Sequence, residues 1–275
     1  MTRSGTLVGL VRACHPDACV TVTAIAVLLG VAVGRGAGGL VLVGTAVLAG
    51  QLCIGWTNDY LDAVRDADTG RTDKPVASGS VPRRTVLVTA IAAGVACVPL
   101  SLAVGLLPGV LHLIAVLSAL AYDAWLKATV ASVLPYLVSF GLLPLFVVLG
   151  LPGAHPPWWL PVAGALLGGG AHFTNVLPDL ADDKASGVVG LPHRLGATGS
   201  RWAAVVLLLG ASGVLALGPT GHALPRALLA AASVPVLAAG LVLGRRPGSR
   251  LAFQAVLVVA LLAVCQLVLA GASLR

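Results

Sequence analysis

The chain contains no glutamate: all ten acidic residues among its 275 are aspartates. Charge of either sign is scarce, with 10% of residues charged against about 25% in a typical soluble domain. Aromatic residues make up 4% and methionine occurs once. With 58% hydrophobic residues and a mean hydropathy of +0.99, water cannot be the main solvent for this chain. The five cysteines (Cys14, Cys19, Cys53, Cys97 and Cys265) form neither a CxxC pair nor a Cys/His metal pattern, so no disulfide framework is implied. Cys53, Cys97 and Cys265 lie in apolar runs, as packing residues do. The net charge of +7 does not argue for nucleic acid, because basic residues flank membrane helices on the cytoplasmic side.

Apolar runs bounded by charge, Gly or Pro divide the sequence into nine segments: 18–34, 38–61, 84–106, 109–127, 131–151, 159–181, 202–218, 225–243 and 250–272. Each approaches the ~20 apolar residues a spanning helix needs. The first is not followed by a convincing cleavage site, so it is read as a helix and not as a signal peptide. Gly168, Gly169 and Gly170 fall inside the sixth, where small residues allow close helix packing. Trp158 and Trp159 start that segment and read as an interfacial anchor. The expected fold is an all-α integral membrane protein of nine transmembrane helices, with residues 1–275 forming a single domain.

Of the 17 Lys and Arg residues, nine spans place fourteen on one side. The exceptions are Arg35, Arg226 and Arg275. Basic residues collect on the cytoplasmic side, which puts the N-terminus in the cytoplasm and the C-terminus outside. The composition, high in Ala, Gly, Val and Arg and low in Lys, suggests a GC-rich bacterial gene, so a bacterial plasma membrane is expected.

The aspartates are as unevenly placed. Asp59, Asp62, Asp66, Asp68 and Asp73 form one cluster, and Asp179, Asp182 and Asp183 another; only Asp17 and Asp123 lie elsewhere. Both clusters contain Asn-xxx-Asp-xxx-Asp, as Asn58, Asp62 and Asp66, and as Asn175, Asp179 and Asp183. Positions i, i+4 and i+8 drift only about 40° per step on a helix, so each trio lines one face. Each sits at the cytoplasmic end of an even-numbered span, in the manner of a parallel repeat. Carboxylate and amide oxygens are hard ligands suited to Mg²⁺, which takes one or two carboxylates and leaves its other positions to water and phosphate. Two such faces opposite each other would hold metal ions with a diphosphate between them. Acidic residues at membrane depth are costly and point to function. A cation-coupled transporter would instead place them near mid-membrane, often in inverted repeats.

At these motifs the sequence resembles the UbiA superfamily of intramembrane prenyltransferases. Asn58 to Asp66 is similar to the family's NDxxDxxxD, and Lys74-Pro75-Val76-Ala77-Ser78-Gly79 to its continuation. The second motif, followed by Gly187, Leu191-Pro192 and Arg194-Leu195-Gly196, resembles the quinone-forming branch; Tyr122 to Lys127 has the family's YxxxxK form. The resemblance implies a UbiA-type bundle with its active site at the cytoplasmic side. It implies Mg²⁺ held by Asn58, Asp62, Asp66, Asn175, Asp179 and Asp183. It further implies an isoprenyl diphosphate met by Arg71, Lys74, Lys127 and Arg194, and an allylic cation captured by a small acceptor, typically an aromatic or quinone-precursor ring. Asp59 and Asp182 are extra carboxylates for metal binding or deprotonation. Tyr60 and Tyr122 are candidates for cation–π stabilisation of the carbocation, and His172 faces the same way as Asn175. A terpene cyclase, in which the substrate's own double bond is the nucleophile, would share the ionisation step. No nucleic-acid partner is expected; the lipid bilayer is.

Overall fold

The computed structural model describes residues 3–68, 70, 74–220, 223–244, 249 and 251–270. All regular structure among them is helical: α1 (Arg3–Ala13), α2 (Pro16–Ala32), α3 (Ala37–Asp68), α4 (Arg83–Val104), α5 (Leu106–Ala124), α6 (Leu134–Leu149), α7 (Trp159–Val176), α8 (Leu180–Ala185), α9 (Leu191–Leu217), α10 (Ala223–Leu243) and α11 (Leu251–Ala270). Short 3₁₀ turns at Leu126–Ala128 and Leu177–Asp179 follow α5 and α7. Each of the nine apolar segments falls on one long helix. By length and composition, five of the described helices are apolar enough to cross a membrane: α3, α4, α5, α9 and α10. The pair Thr6–Ala13 and Pro16–Ala32, bent by 59°, makes a sixth if it is one span. The protein is an integral membrane protein.

α3 is the element that matters most. Its apolar sequence gives out near Trp56, yet the helix runs on to Asp68. At 1.5 Å per residue its 32 residues reach about 48 Å, well beyond the ~30 Å hydrocarbon core. The first Asp-rich motif therefore rides on a helix longer than the hydrocarbon core requires, and the expected end at residue 61 is corrected. Ala63, Val64, Arg65 and Ala67 contain no breaker, so backbone hydrogen bonding continues where hydropathy stops.

The second motif behaves differently. α7 ends at Val176, five residues short of the expected 181. Pro178 has no N–H to donate and its ring would clash with the carbonyl of Thr174, so the chain tightens into the 3₁₀ turn Leu177–Asp179 before α8. Two other expectations also change. α9 starts at Leu191, about a dozen residues ahead of its apolar run, with a kink at Gly196 (φ 68°). Trp158 is 72% exposed, as an interfacial anchor would be, but Trp159 is 3% exposed and belongs to the core.

That core joins Ala26 of α2, Val43 and Val47 of α3, Phe146 of α6, Leu160 of α7, Leu215 of α9 and Ala263 of α11. The glycines of α7 explain how the helices approach. A Cβ on Gly164 would strike the Phe140 carbonyl, and one on Gly168 would lie 2.6 Å from the Tyr136 carbonyl oxygen. A Cβ on Gly169 would press on the side chains of Leu137 in α6 and Leu207 in α9, and one on Gly170 on that of Leu208 in α9. Gly164 and Gly168, one turn apart, form a small-xxx-small face against α6. Gly168→Val should force α6 from α7; overpacking costs roughly 1–3 kcal/mol, which is about 5 °C in unfolding midpoint for a chain of this size. Thermal unfolding in detergent tests this, and an unchanged midpoint would mean the interface is loose.

Arg35 and Arg226, two of the three basic residues assigned to the outer side, are not surface anchors. Arg35 is 9% exposed and its Nε and Nη2 donate to the Val147 carbonyl at 2.9 and 2.7 Å, capping the end of α6. Arg226 is 1% exposed and its Nη2 donates to the Pro219 carbonyl at 2.7 Å. All five cysteines are free; Cys265 is exposed and the other four are buried.

Candidate functional site

A cavity of about 730 Å³ opens where α3, α5, α7 and α8 meet. Along α3, Asn58, Asp62 and Asp66 all line it, as their spacing predicts. Across from them stand Asn175, Asp179, Asp182 and Asp183. The 3₁₀ turn at Pro178 has three residues per turn instead of 3.6. It shifts the angular register, so Asp182 and Asp183 both reach the cavity although they do not share a helix with Asn175. Lys74 and Lys127 also line it, together with Arg65, Tyr122, Tyr136 and His172. Farther in, the wall is made by Val22, Val47, Ile54 and Leu143.

Asp62 is the centre of the charge arrangement. It is 8% exposed. Its Oδ1 accepts from Lys127 Nζ at 2.5 Å and its Oδ2 pairs with Arg65 Nη2 at 2.7 Å. Lys127 reaches it because α5 ends at Ala124 and the following 3₁₀ turn brings Lys127 back over the cavity. Asn58 Nδ2 donates to Asp123 Oδ1 at 3.0 Å. Opposite, His193 Nε2 lies 3.4 Å from Asp183 Oδ2. Burial pushes the Asp183 carboxyl above its ordinary range, with His193 working against the shift. Tyr136 and Tyr122 meet edge to face with centroids 5.2 Å apart, and Tyr136 lies 4.8 Å from the His172 ring. Tyr136 Oη accepts a long hydrogen bond, 3.5 Å, from Asn175 Nδ2.

Of the twelve residues expected to serve as metal ligands, diphosphate contacts or extra carboxylates, nine therefore share one cavity. Asp59 does not line it. One residue on from Asn58 is about 100° round the helix, and Asp59 points into the α3–α4 connection, 1% exposed and 3.8 Å from Lys74. Arg194 is exposed and also off the wall, because its neighbour His193 takes the inward position. Arg71 lies outside the described residues. Tyr60 is off the wall too, with the Arg83 guanidinium 4.3 Å above its ring. Sequence reasoning did not assign Arg65, Asp123, Tyr136 or His193 to the site. Asp123 carried a signal, as a lone acidic residue at the end of an apolar run; His193 carried none.

Among the described residues, no three Asp, His or Cys side chains stand together as a ready-made ion site. What the cavity offers is an acidic, oxygen-rich mouth with three cations set into it, and an apolar interior. Such a space suits an amphipathic ligand with an anionic head, the metal being completed by the head's own oxygens.

No curated protein matches the chain by sequence. Among solved structures, an apo UbiA homologue from Aeropyrum pernix K1 is similar over 91% of this chain and 96% of its own, with a TM-score of 0.75 and 16% identity. A UbiA homologue from Archaeoglobus fulgidus, bound to DMAPP and Mg²⁺, is similar over 96% and 98%, with a TM-score of 0.73 and 15% identity. A digeranylgeranylglyceryl phosphate synthase in membranes is similar over 97% and 98%, at 0.71 and 16%. At such identities the likeness establishes the fold alone. The sequence itself matches the model of the UbiA prenyltransferase family over residues 18–257. With that match running through most of its length, this chain belongs to the UbiA prenyltransferase family.

Proposed function

We propose that the protein transfers an isoprenyl group, within the membrane, from an isoprenyl diphosphate to a small aromatic or quinone-precursor acceptor. The observation that carries this reading is the single cavity that joins both Asp-rich motifs to Lys74, Lys127 and Arg65 at one end and to apolar walls at the other. The A. fulgidus relatives bound to DMAPP or GPP with Mg²⁺ support it. The donor set fits Mg²⁺: hard oxygens, one or two carboxylates from each wall, with phosphate and water left to complete the shell. Asn58, Asp62 and Asp66 would hold one ion and Asn175, Asp179 and Asp183 a second. When bound, Mg²⁺ neutralises charge on the departing diphosphate.

The chain's own residues supply the rest. Lys74, Lys127 and Arg65 meet the negative charge that grows on the diphosphate as the allylic C–O bond breaks. Asp59 holds Lys74 in place from behind, and Asp182 lies at the exposed mouth with room to take a proton from the acceptor. The Tyr122 and Tyr136 rings border the region where the carbocation would form and attract it through their faces. The apolar walls keep water from trapping that cation. The positive-inside rule favours the motif end as cytoplasmic, with nine spans. The finding that Arg35 and Arg226 cap carbonyls strengthens that asymmetry, since neither acts as an anchor on the opposite side.

The test is Mg²⁺-dependent diphosphate release by the purified protein from geranyl, farnesyl or geranylgeranyl diphosphate, with and without phenolic and quinone-precursor acceptors, read by product mass. A prenylated adduct formed only with acceptor is the expected result. A cyclic hydrocarbon formed without acceptor would replace transfer with cyclisation. Absence of both release and diphosphate binding in folded protein would end the metal-site reading.

A further inference from the structure

The corner between α1 and α2 is built around a strained residue that belongs to neither Asp-rich motif. His15 has φ 57° and ψ 66°, and among the described residues it is the only non-glycine in the left-handed region. That conformation is unfavourable for any residue with a Cβ. Pro16 adds to the cost, because its ring drives the preceding residue toward extended backbone.

Several contacts hold the corner in place. The Cys14 backbone rests on Gly55 of α3 so closely that a Cβ there would strike the Cys14 carbonyl. Trp56 Nε1 donates to the Leu10 carbonyl at 2.9 Å, and Cys19 Sγ to the Cys14 carbonyl at 3.0 Å. The backbone N–H of Ala18 donates to the His15 carbonyl at 3.0 Å. Gly55 precedes Asn58 by three residues and lines the same cavity, so a corner seated on Gly55 delivers its side chain to the diphosphate end. The His15 imidazole accordingly lines the cavity beside Asn58 and Lys74. Its Nε2 is shielded from solvent and has no hydrogen-bond partner in the protein.

Nothing in the turn itself requires an imidazole. Glycine would make it without strain, and asparagine enters this region several-fold more readily than most residues. An outlier that costs free energy, is fixed by its surroundings and presents an unpaired polar atom to the site is the pattern of a functional residue. We propose that His15 is a diphosphate-binding residue, whose Nε2–H donates to an oxygen of the leaving diphosphate alongside Lys74 and Lys127. This rests on the diphosphate reading of the cavity given above.

The test uses the full-length protein in detergent. Binding of inorganic diphosphate in the presence of Mg²⁺ is measured for the wild type, His15→Gly and His15→Asn, together with ligand-free unfolding midpoints. A hydrogen bond to a charged oxygen predicts about ten-fold weaker binding in both variants. Release of strain predicts that His15→Gly unfolds at or above the wild-type temperature. Wild-type affinity in both variants would overturn the proposal. So would a joint fall in affinity and midpoint, which would mark His15 as a structural corner. Failure of the wild type itself to bind diphosphate would instead overturn the reading of the whole cavity, so the two failures are distinguishable.

Discussion

Replacing Asp62 by asparagine should leave the protein folded and reduce Mg²⁺-dependent diphosphate release by about 10³-fold. Asp62 is the middle residue of the first trio, and it pairs with two cations, Lys127 and Arg65. Asparagine keeps the shape and one oxygen but removes the charge. That loss acts twice. It takes a hard anionic ligand from the motif, and it removes the charge that Lys127 and Arg65 share as a partner. Both effects fall where charge develops on the departing diphosphate, so the loss should appear in the rate of release more than in the affinity for the prenyl chain. Asp68→Asn is the control, since Asp68 is exposed on the same helix and does not line the cavity. It should stay within about two-fold of wild type, as surface changes usually do. Equal losses in the two variants would mean that the net charge of the α3 extension matters and the position of Asp62 does not.

The site was legible where local geometry alone decides it. Asn58, Asp62 and Asp66 lie on a regular helix, and their spacing placed all three on one wall. The second trio also reaches the cavity, but not for the reason its spacing gives, because Pro178 breaks the helix between Asn175 and Asp183. Asp59 and Arg194 show the limit of motif reading. Each adjoins a residue on the wall, and a step of one residue is enough to turn a side chain away. Hydropathy marked where the long helices lie and not where they end: it ended α3 seven residues early and started α9 late, because helical hydrogen bonding outlasts apolarity. α1 went unread for the same reason. The pairing of Asn58 with Asp123, and of Asp183 with His193, joins residues far apart in sequence; only the folded chain shows them.

Mg²⁺ and diphosphate should each tighten the other's binding by about 10- to 100-fold, a coupling in the range common for linked sites. Both oxygens of Asp62 are engaged, Oδ1 by Lys127 and Oδ2 by Arg65. An incoming ion must displace these two cations from Asp62. On the proposed function, diphosphate would remove that obstacle by offering its own oxygens to Lys127 and Arg65, which would free Asp62 for the metal. Lys127→Met separates the parts of this scheme. With one clamp gone, Mg²⁺ alone should bind more tightly than to wild type, while diphosphate with Mg²⁺ should bind more weakly for want of a cation, and the coupling factor should shrink. Calorimetric metal titrations with and without inorganic diphosphate, corrected for the complex the two form in solution, give all four affinities. A coupling factor near one in the wild type would mean that the Asp62 clamp opens without help. A Lys127→Met protein that binds Mg²⁺ alone no better than wild type would mean that Arg65 suffices to hold Asp62 closed, and Arg65→Gln would then be the variant that releases it.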